Sequence, residues 1–246
     1  MKERFVLLNS PMVQAVIEGT KTVTRRPLNP QPELFIQAGK HSTYKYRGGL
    51  YALELYTENS NILDKCPFGK IGDRLWIRET WAPVNLYGEI AIAYKADGEV
   101  IRVVENKSFQ DEEGLINYED PRLKNYSFSA WADDLLSDVE GNWKPSIHMP
   151  RWASRLILEI TNIKIERIQD ISESDSLNEG IERVKVNCSR DGIKTSYKDY
   201  EVDGITRNNP IDSFRTLWKK TYGAESWDLN SWVWVIEFKV IEGDDK

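Results

Sequence analysis

One run near the end of the 246-residue chain restricts the fold more than any other: Trp232-Val233-Trp234-Val235-Ile236-Glu237-Phe238-Lys239-Val240. Its apolar character is nearly continuous, with β-branched and aromatic residues throughout. A strand of this make-up has no polar face to give to water, so it must lie centrally and pack on both sides. A second long strand reads over Arg155 to Ile168, apolar at Leu156, Leu158 and Ile160 and then at Ile163 and Ile165. The phase slips by one residue near Asn162, which implies a bulge or bend of the kind that small closed barrels need.

Shorter strands surround these two. Phe5 to Leu8 reads as a first buried strand, and Arg74 to Trp81 as another, with Leu75 and Ile77 sharing an apolar face. Two alternating runs over Thr43 to Leu53 meet at Gly48-Gly49, a hairpin pattern. A further hairpin pairs Ile90–Tyr94 with Val100–Val104 through Ala96-Asp97-Gly98.

Three helices are marked by their ends. Ser10-Pro11 supplies an N-cap and a first-turn proline, Met12, Val13, Val16 and Ile17 recur at helical spacing, and Gly19 stands at the C-cap. Ser172, with Asp175 three residues on, caps a second helix that Gly180 stops, leaving Glu179 at its end. Pro210 opens the third, with Phe214, Leu217 and Trp218 on one face and Gly223 after it. Pro27 to Pro32 reads as an extended connection, Glu105 to Gly141 as an acidic surface insertion with a helix near Ala130 to Leu136, and Asn187 to Asn209 as a polar, mobile loop. Six to eight strands joined mostly by hairpins, with three short helices, give an α+β class: a small mixed barrel carrying helices at its ends.

Composition narrows the function classes. The net charge of −6 opposes a broad, salt-driven grip on a nucleic-acid backbone, while leaving room for a local basic pocket. No apolar run approaches membrane-spanning length, and the apolar core of Phe5 to Leu8 is too short for a signal peptide, so a cytoplasmic chain without a membrane partner is expected. The two cysteines, Cys66 and Cys188, lie far apart, and no pair among them, His41 and His148 has zinc spacing. Neither a metal nor an organic cofactor is implied, and the phosphate-cradling and serine-elbow motifs are absent.

Two places concentrate chemistry. Gly19-Thr20-Lys21-Thr22-Val23-Thr24-Arg25-Arg26 presents hydroxyls and cations directly after a helix end; if extended, Lys21, Val23 and Arg25 face one way and Thr22, Thr24 and Arg26 the other. Glu179 also lies beside a helix-stopping glycine. A threonine hydroxyl attacks only if its proton is accepted, and a lysine whose pKa is lowered by burial or a neighbouring cation can accept it. A carboxylate such as Glu179 could orient that lysine or pass a proton to a leaving amine. Many chains could offer these residues, and their spacing alone does not distinguish the site from a solvated helix end.

Gly19 to Arg26 resembles the Gly-x-Lys-Thr-x-Thr-x-Arg motif of ASCH-domain proteins, which have a PUA-like β-barrel. Gly72-Asp73-Arg74-Leu75-Trp76-Ile77 is similar to that family's entry into a strand. Glu159 to Gly180 resembles its next strand and helix, and Val235 to Lys239 its closing strand. Within the family, the layout is similar to that of the small bacterial enzymes that deacylate N4-acetylcytidine, and the full chain also resembles uncharacterised phage and prophage proteins. The resemblance implies one ASCH/PUA-like domain over residues 1–246, with large insertions at about 27–67 and 82–142 and about 100 residues of shared core. It implies catalytic Lys21, Thr24 and Glu179, acting as an amide hydrolase on the acylated exocyclic amine of a modified pyrimidine nucleoside or base. Arg25 and Arg26 would hold polar edges of the substrate or lower the lysine's pKa, and Trp81, His148 and Trp152 would stack on the base. The alternative from another class is a non-catalytic module that binds RNA or modified nucleic acid through the same pocket.

Overall fold

A computed structural model of the chain describes residues 1–38, 41–51, 62–111, 113–124, 130–188 and 192–241. Its first elements are β1 (Glu3–Leu7), α1 (Ser10–Ile17), β2 (Val23–Pro27), β3 (Glu33–Ala38), β4 (His41–Tyr46) and β5 (Gly49–Tyr51). Next come β6 (Arg74–Arg78), β7 (Trp81–Leu86), β8 (Glu89–Tyr94), β9 (Val100–Arg102), α2 (Pro121–Lys124) and α3 (Ala132–Leu136). The remainder is β10 (Ile157–Arg167), α4 (Glu173–Asn178), β11 (Arg183–Cys188), β12 (Gly192–Lys198), β13 (Thr206–Arg207), α5 (Pro210–Tyr222) and β14 (Trp232–Ile241). The fold is mixed α+β with several sheets, and more strands form than the sequence pattern suggests. No described helix is long and apolar enough to cross a membrane.

The chain makes two compact units, the first of residues 1, 15–73 and 159–239 and the second of residues 2–14, 74–158 and 240–241. In the first unit β14 lies between β10 and β2, and Trp232 to Ile236 are all buried. The central, doubly covered position that this apolar run demands is therefore the one it takes. Edge-on ring contacts at 5.4 Å to Tyr44 and 6.4 Å to Tyr46 cover Trp232 and Trp234. The phase slip in β10 falls where expected: Ile160, Ile163 and Ile165 are buried, and Thr161 and Asn162 are exposed in succession. Asn162 Oδ1 accepts from the Ile163 amide at 2.9 Å at that break.

Two local expectations are corrected in this unit. The β4–β5 turn is Arg47-Gly48 rather than Gly48-Gly49, because Tyr46 pairs with Gly49 and both turn residues have positive φ, 45° and 83°. That twist is what a two-residue hairpin needs. Of the expected hairpin, Ala52 and Leu53 lie outside the described residues. The polar stretch from Asn187 to Asn209 is not simply a loop, since β11, β12 and β13 form an antiparallel sheet there. Its buried face is small and partly polar, with Ser196 and Asp199 inside, so apolar alternation never becomes strong. Asp199 is satisfied by Arg207 and by the amides of Glu201 and Val202. After it, α5 starts at an Asn209 cap and buries Phe214, Leu217 and Trp218, as its spacing implies.

In the second unit β1 runs parallel to β6, and Leu75 and Ile77 are fully buried. The expected buried strand at Phe5 is buried on one side only, since Phe5 and Leu7 are exposed while Val6 is not. Asn9, not Ser10, caps α1, accepting from the Met12 amide at 3.1 Å. The β8–β9 hairpin forms, although its second strand stops at Arg102 and Val103 and Val104 enter a 3₁₀ turn; β7 pairs with β8 through a Tyr87-Gly88 turn that Pro83 concealed in the sequence. The acidic segment is more than a solvated face: α3 forms, and Phe109, Leu123, Ala132 and Leu135 enter the apolar clusters around Trp81 and Ala82.

Candidate active site around Lys21 and Glu179

The first unit brings the two chemical stretches together. Gly19, at φ 71°, turns the chain out of α1, and the amides of Thr20 and Lys21 both donate to Ala15 O at 2.9 Å. From the other side Ser172 caps α4 through the Asp175 amide, and Gly180, at φ 82°, ends it. Lys21 and Glu179 then pair as an antiparallel bridge, and the Thr22 amide donates to Asn178 O at 2.9 Å. Gly180 permits the approach: a Cβ there would stand 2.7 Å from Ala15 Cβ and 2.9 Å from Lys21 Cβ. Gly180→Ala combines that clash with an unfavourable positive φ, and a loss of roughly 1–3 kcal/mol is expected in denaturant unfolding; an unchanged midpoint would contradict the packing.

At the bridge the Lys21 ammonium donates to Glu179 Oε2 at 2.7 Å, to Glu179 O at 2.8 Å and to Val23 O at 2.8 Å. Its three protons are thus all taken. Arg25 approaches the same carboxylate, with Nη1 3.2 Å from Glu179 Oε1, while Nε donates to Glu166 at 2.8 Å and Nη2 to Asp175 at 2.9 Å. Lys164 lies 3.4 Å from Glu166 and 3.6 Å from Asp175. Three cations and three carboxylates therefore form one neutral network. Its centre is dry: Lys21 and Arg25 are each 2% exposed and Glu179 4%. Burial pushes the Lys21 ammonium below the ordinary lysine range; Glu179 opposes this shift, and Arg26 and Arg25 add to it.

The expected facing of the stretch holds for Lys21 and Arg25, which converge on one carboxylate. Strand pleating then sets Thr24, opposite Ile236 in the β2–β14 ladder, on the other face with Arg26. Thr24 is buried, and Arg26 is half-buried with Nη1 3.2 Å from the Tyr222 hydroxyl. Arg25, with all three of its nitrogens donating to carboxylates, orients Glu179. The sequence pattern does not single out Glu166 or Lys164 and marks Asp175 only as a cap partner; the alternation of β10 places Glu166 and Lys164 on one side, but nothing in the sequence joins them to Arg25.

The remaining expected site residues belong to the second unit. Trp81 is a core residue beside Ile92, Tyr94 and Met149. Trp152 is half-buried, edge-on to Trp81 at 6.4 Å and to Phe109 at 5.0 Å. His148 is exposed in a single 3₁₀ turn, its amide donating to Pro145 O. Among the described residues no group of three or more His, Cys, Asp or Glu could hold a metal ion. Comparison with family models, curated proteins and solved structures finds no match to the chain.

Proposed function

We propose that this is an ASCH-type protein with a PUA-like barrel, and that the Lys21–Glu179 pair serves the hydrolysis of an acyl group from the exocyclic amine of a modified pyrimidine nucleoside or base. The observation that carries this reading is the 2.7 Å contact between Lys21 Nζ and Glu179 Oε2, made across 158 residues in a dry environment that lowers the lysine's proton affinity. Buried pairs of this kind are common where protons are moved. In this reading Lys21 acts from its neutral form, which burial favours. The amine accepts the proton of the attacking hydroxyl, and Glu179 relays it from the resulting ammonium to the departing amine nitrogen. Thr24 Oγ1 is the attacking group in this reading, and the acyl-threonine that results is released by water. Because Thr24 leaves β2 on the face opposite Lys21, its attack requires that the start of β2 turn when substrate enters.

The test is to incubate the protein with N4-acetylcytidine and follow cytidine formation by mass. Wild type is expected to form product, and Lys21→Ala and Thr24→Ala to lose about 10²-fold or more. Product from wild type and Lys21→Ala alike overturns the reading. Product lost with Lys21 but retained by Thr24→Ala makes water the nucleophile.

The use of every Lys21 ammonium proton and of all three Arg25 nitrogens inside the protein favours a second reading, a binding module in which the network is structural. Salt-dependent retention of an RNA panel, with no deacylated product, would establish it.

A further inference from the structure

A cavity of about 780 Å³ lies wholly within the second unit and shares no residue with the Lys21–Glu179 centre. Its size is that of an ordinary small-molecule site. Five cationic side chains line it, against two carboxylates, in a protein whose net charge is −6. Their hydrogen bonds show which of them can meet a ligand. Arg155 is fully used: Glu79 takes Nε and Nη2 at 3.0 Å, Asp97 takes Nη1 and Nη2 at 2.8 and 3.0 Å, and Glu99 takes Nη1. Those three acids do not line the cavity, so Arg155 forms part of its wall with its charge already balanced from behind. Arg122 is largely committed to Asp120 and to Ser108.

Arg151 is different. It gives Nε and one Nη2 proton to Glu3, at 3.0 and 3.4 Å, and its Nη1 has no hydrogen-bond acceptor among the described residues. Both partners are about 40% exposed, so the pair stands in reach of solvent. The Arg151 hydrogen bond and charge, with the charge of Arg74, hold the Glu3 carboxyl below its usual range. Glu3 thus occupies a guanidinium fork of the shape that binds phosphate. Beside it in the lining is Trp152, which the edge-on contacts to Phe109 and Trp81 hold in a fixed orientation. An indole held in that way is a platform for a planar ring.

We infer that this cavity binds an aromatic organic phosphate of the nucleoside monophosphate class, its phosphate displacing Glu3 from Arg151 and its base resting on Trp152. Glu3 then acts as an internal competitor, which makes the site testable without knowledge of the natural ligand. The probes are nucleoside 5′-monophosphates, titrated by calorimetry and tryptophan fluorescence, with the parent nucleosides and inorganic phosphate as controls. Saturable binding of a monophosphate is expected, tighter than that of either control. Arg151→Gln should weaken it about tenfold or more, and Glu3→Gln should tighten it several-fold, since the fork is then free. Both side chains are exposed enough for unchanged thermal unfolding to confirm folded variants. The inference is overturned if no monophosphate binds, if inorganic phosphate binds equally well, or if Glu3→Gln leaves the affinity unchanged or lowers it.

Discussion

Replacing Glu179 by alanine is expected to cost about 3–5 kcal/mol of stability, the usual result of removing one member of a buried ion pair. For a chain of this size that lowers the melting temperature by roughly 6–20 °C. The loss falls mainly on Lys21. Arg25 keeps Glu166 and Asp175 when Glu179 is gone, whereas Lys21 keeps only the carbonyl oxygens of Val23 and residue 179. An ammonium that is 2% exposed cannot turn to water instead. The double variant Lys21→Met, Glu179→Leu removes both charges and should recover most of the loss, because a buried pair contributes little net stability over an apolar replacement. Equilibrium unfolding of the two singles and the double gives the coupling directly. If Glu179→Ala costs less than about 1 kcal/mol, the centre is wetter than the burial of its side chains indicates. Wild-type stability should also rise on the alkaline side. The folded state holds the Lys21 proton less tightly than the unfolded chain, so more protons are bound unfolded between the two pKa values, and stability increases with pH across that window.

This dependence on three separate chain segments explains what could and could not be read in advance. β14 and β10 were legible because burial on both faces, or a change of buried face at Asn162, leaves its mark on local residue types. The helix ends were legible because glycine at positive φ and Ser172 at a cap act within a few residues, although Asn9 took the cap that Ser10-Pro11 suggested. The sheet of β11 to β13 was not, since ladder hydrogen bonds leave no trace in side-chain polarity when the buried face is small. At the site, the shared direction of Lys21 and Arg25 follows from strand period alone. The partners of Arg25 do not: Asp175 serves its own helix as a first-turn residue, and Glu166 is one of many charged residues on a strand's polar side. That Thr24 faces away from Lys21 follows from the same period that joins Lys21 to Arg25, and it is the strongest geometric demand on the proposed mechanism.

The proposed chemistry has a consequence in pH that a structural network would not produce. If neutral Lys21 is the base, kcat/KM should rise with pH through the lysine's pKa, which burial places below the ordinary value of about 10.4. The charged neighbours give that midpoint two opposite handles. Glu179 favours the ammonium, so Glu179→Gln should move the midpoint down while slowing the plateau by about 10²–10⁴, because the proton donor to the leaving amine is lost. Gln retains an acceptor for Lys21 Nζ and nearly the shape of Glu, which makes a folded variant accessible where alanine is costly. Arg26 disfavours the ammonium, so Arg26→Gln should move the midpoint up. Arg26 is half-buried, and its substitution leaves the contacts of Lys21 with Glu179 in place. Opposite displacements in the two variants, measured as kcat/KM between pH 6 and 10.5 on N4-acetylcytidine, are a fingerprint of Lys21 titrating in the rate. A profile that moves in neither variant, in an enzyme that is otherwise active, would assign the proton transfer to another group.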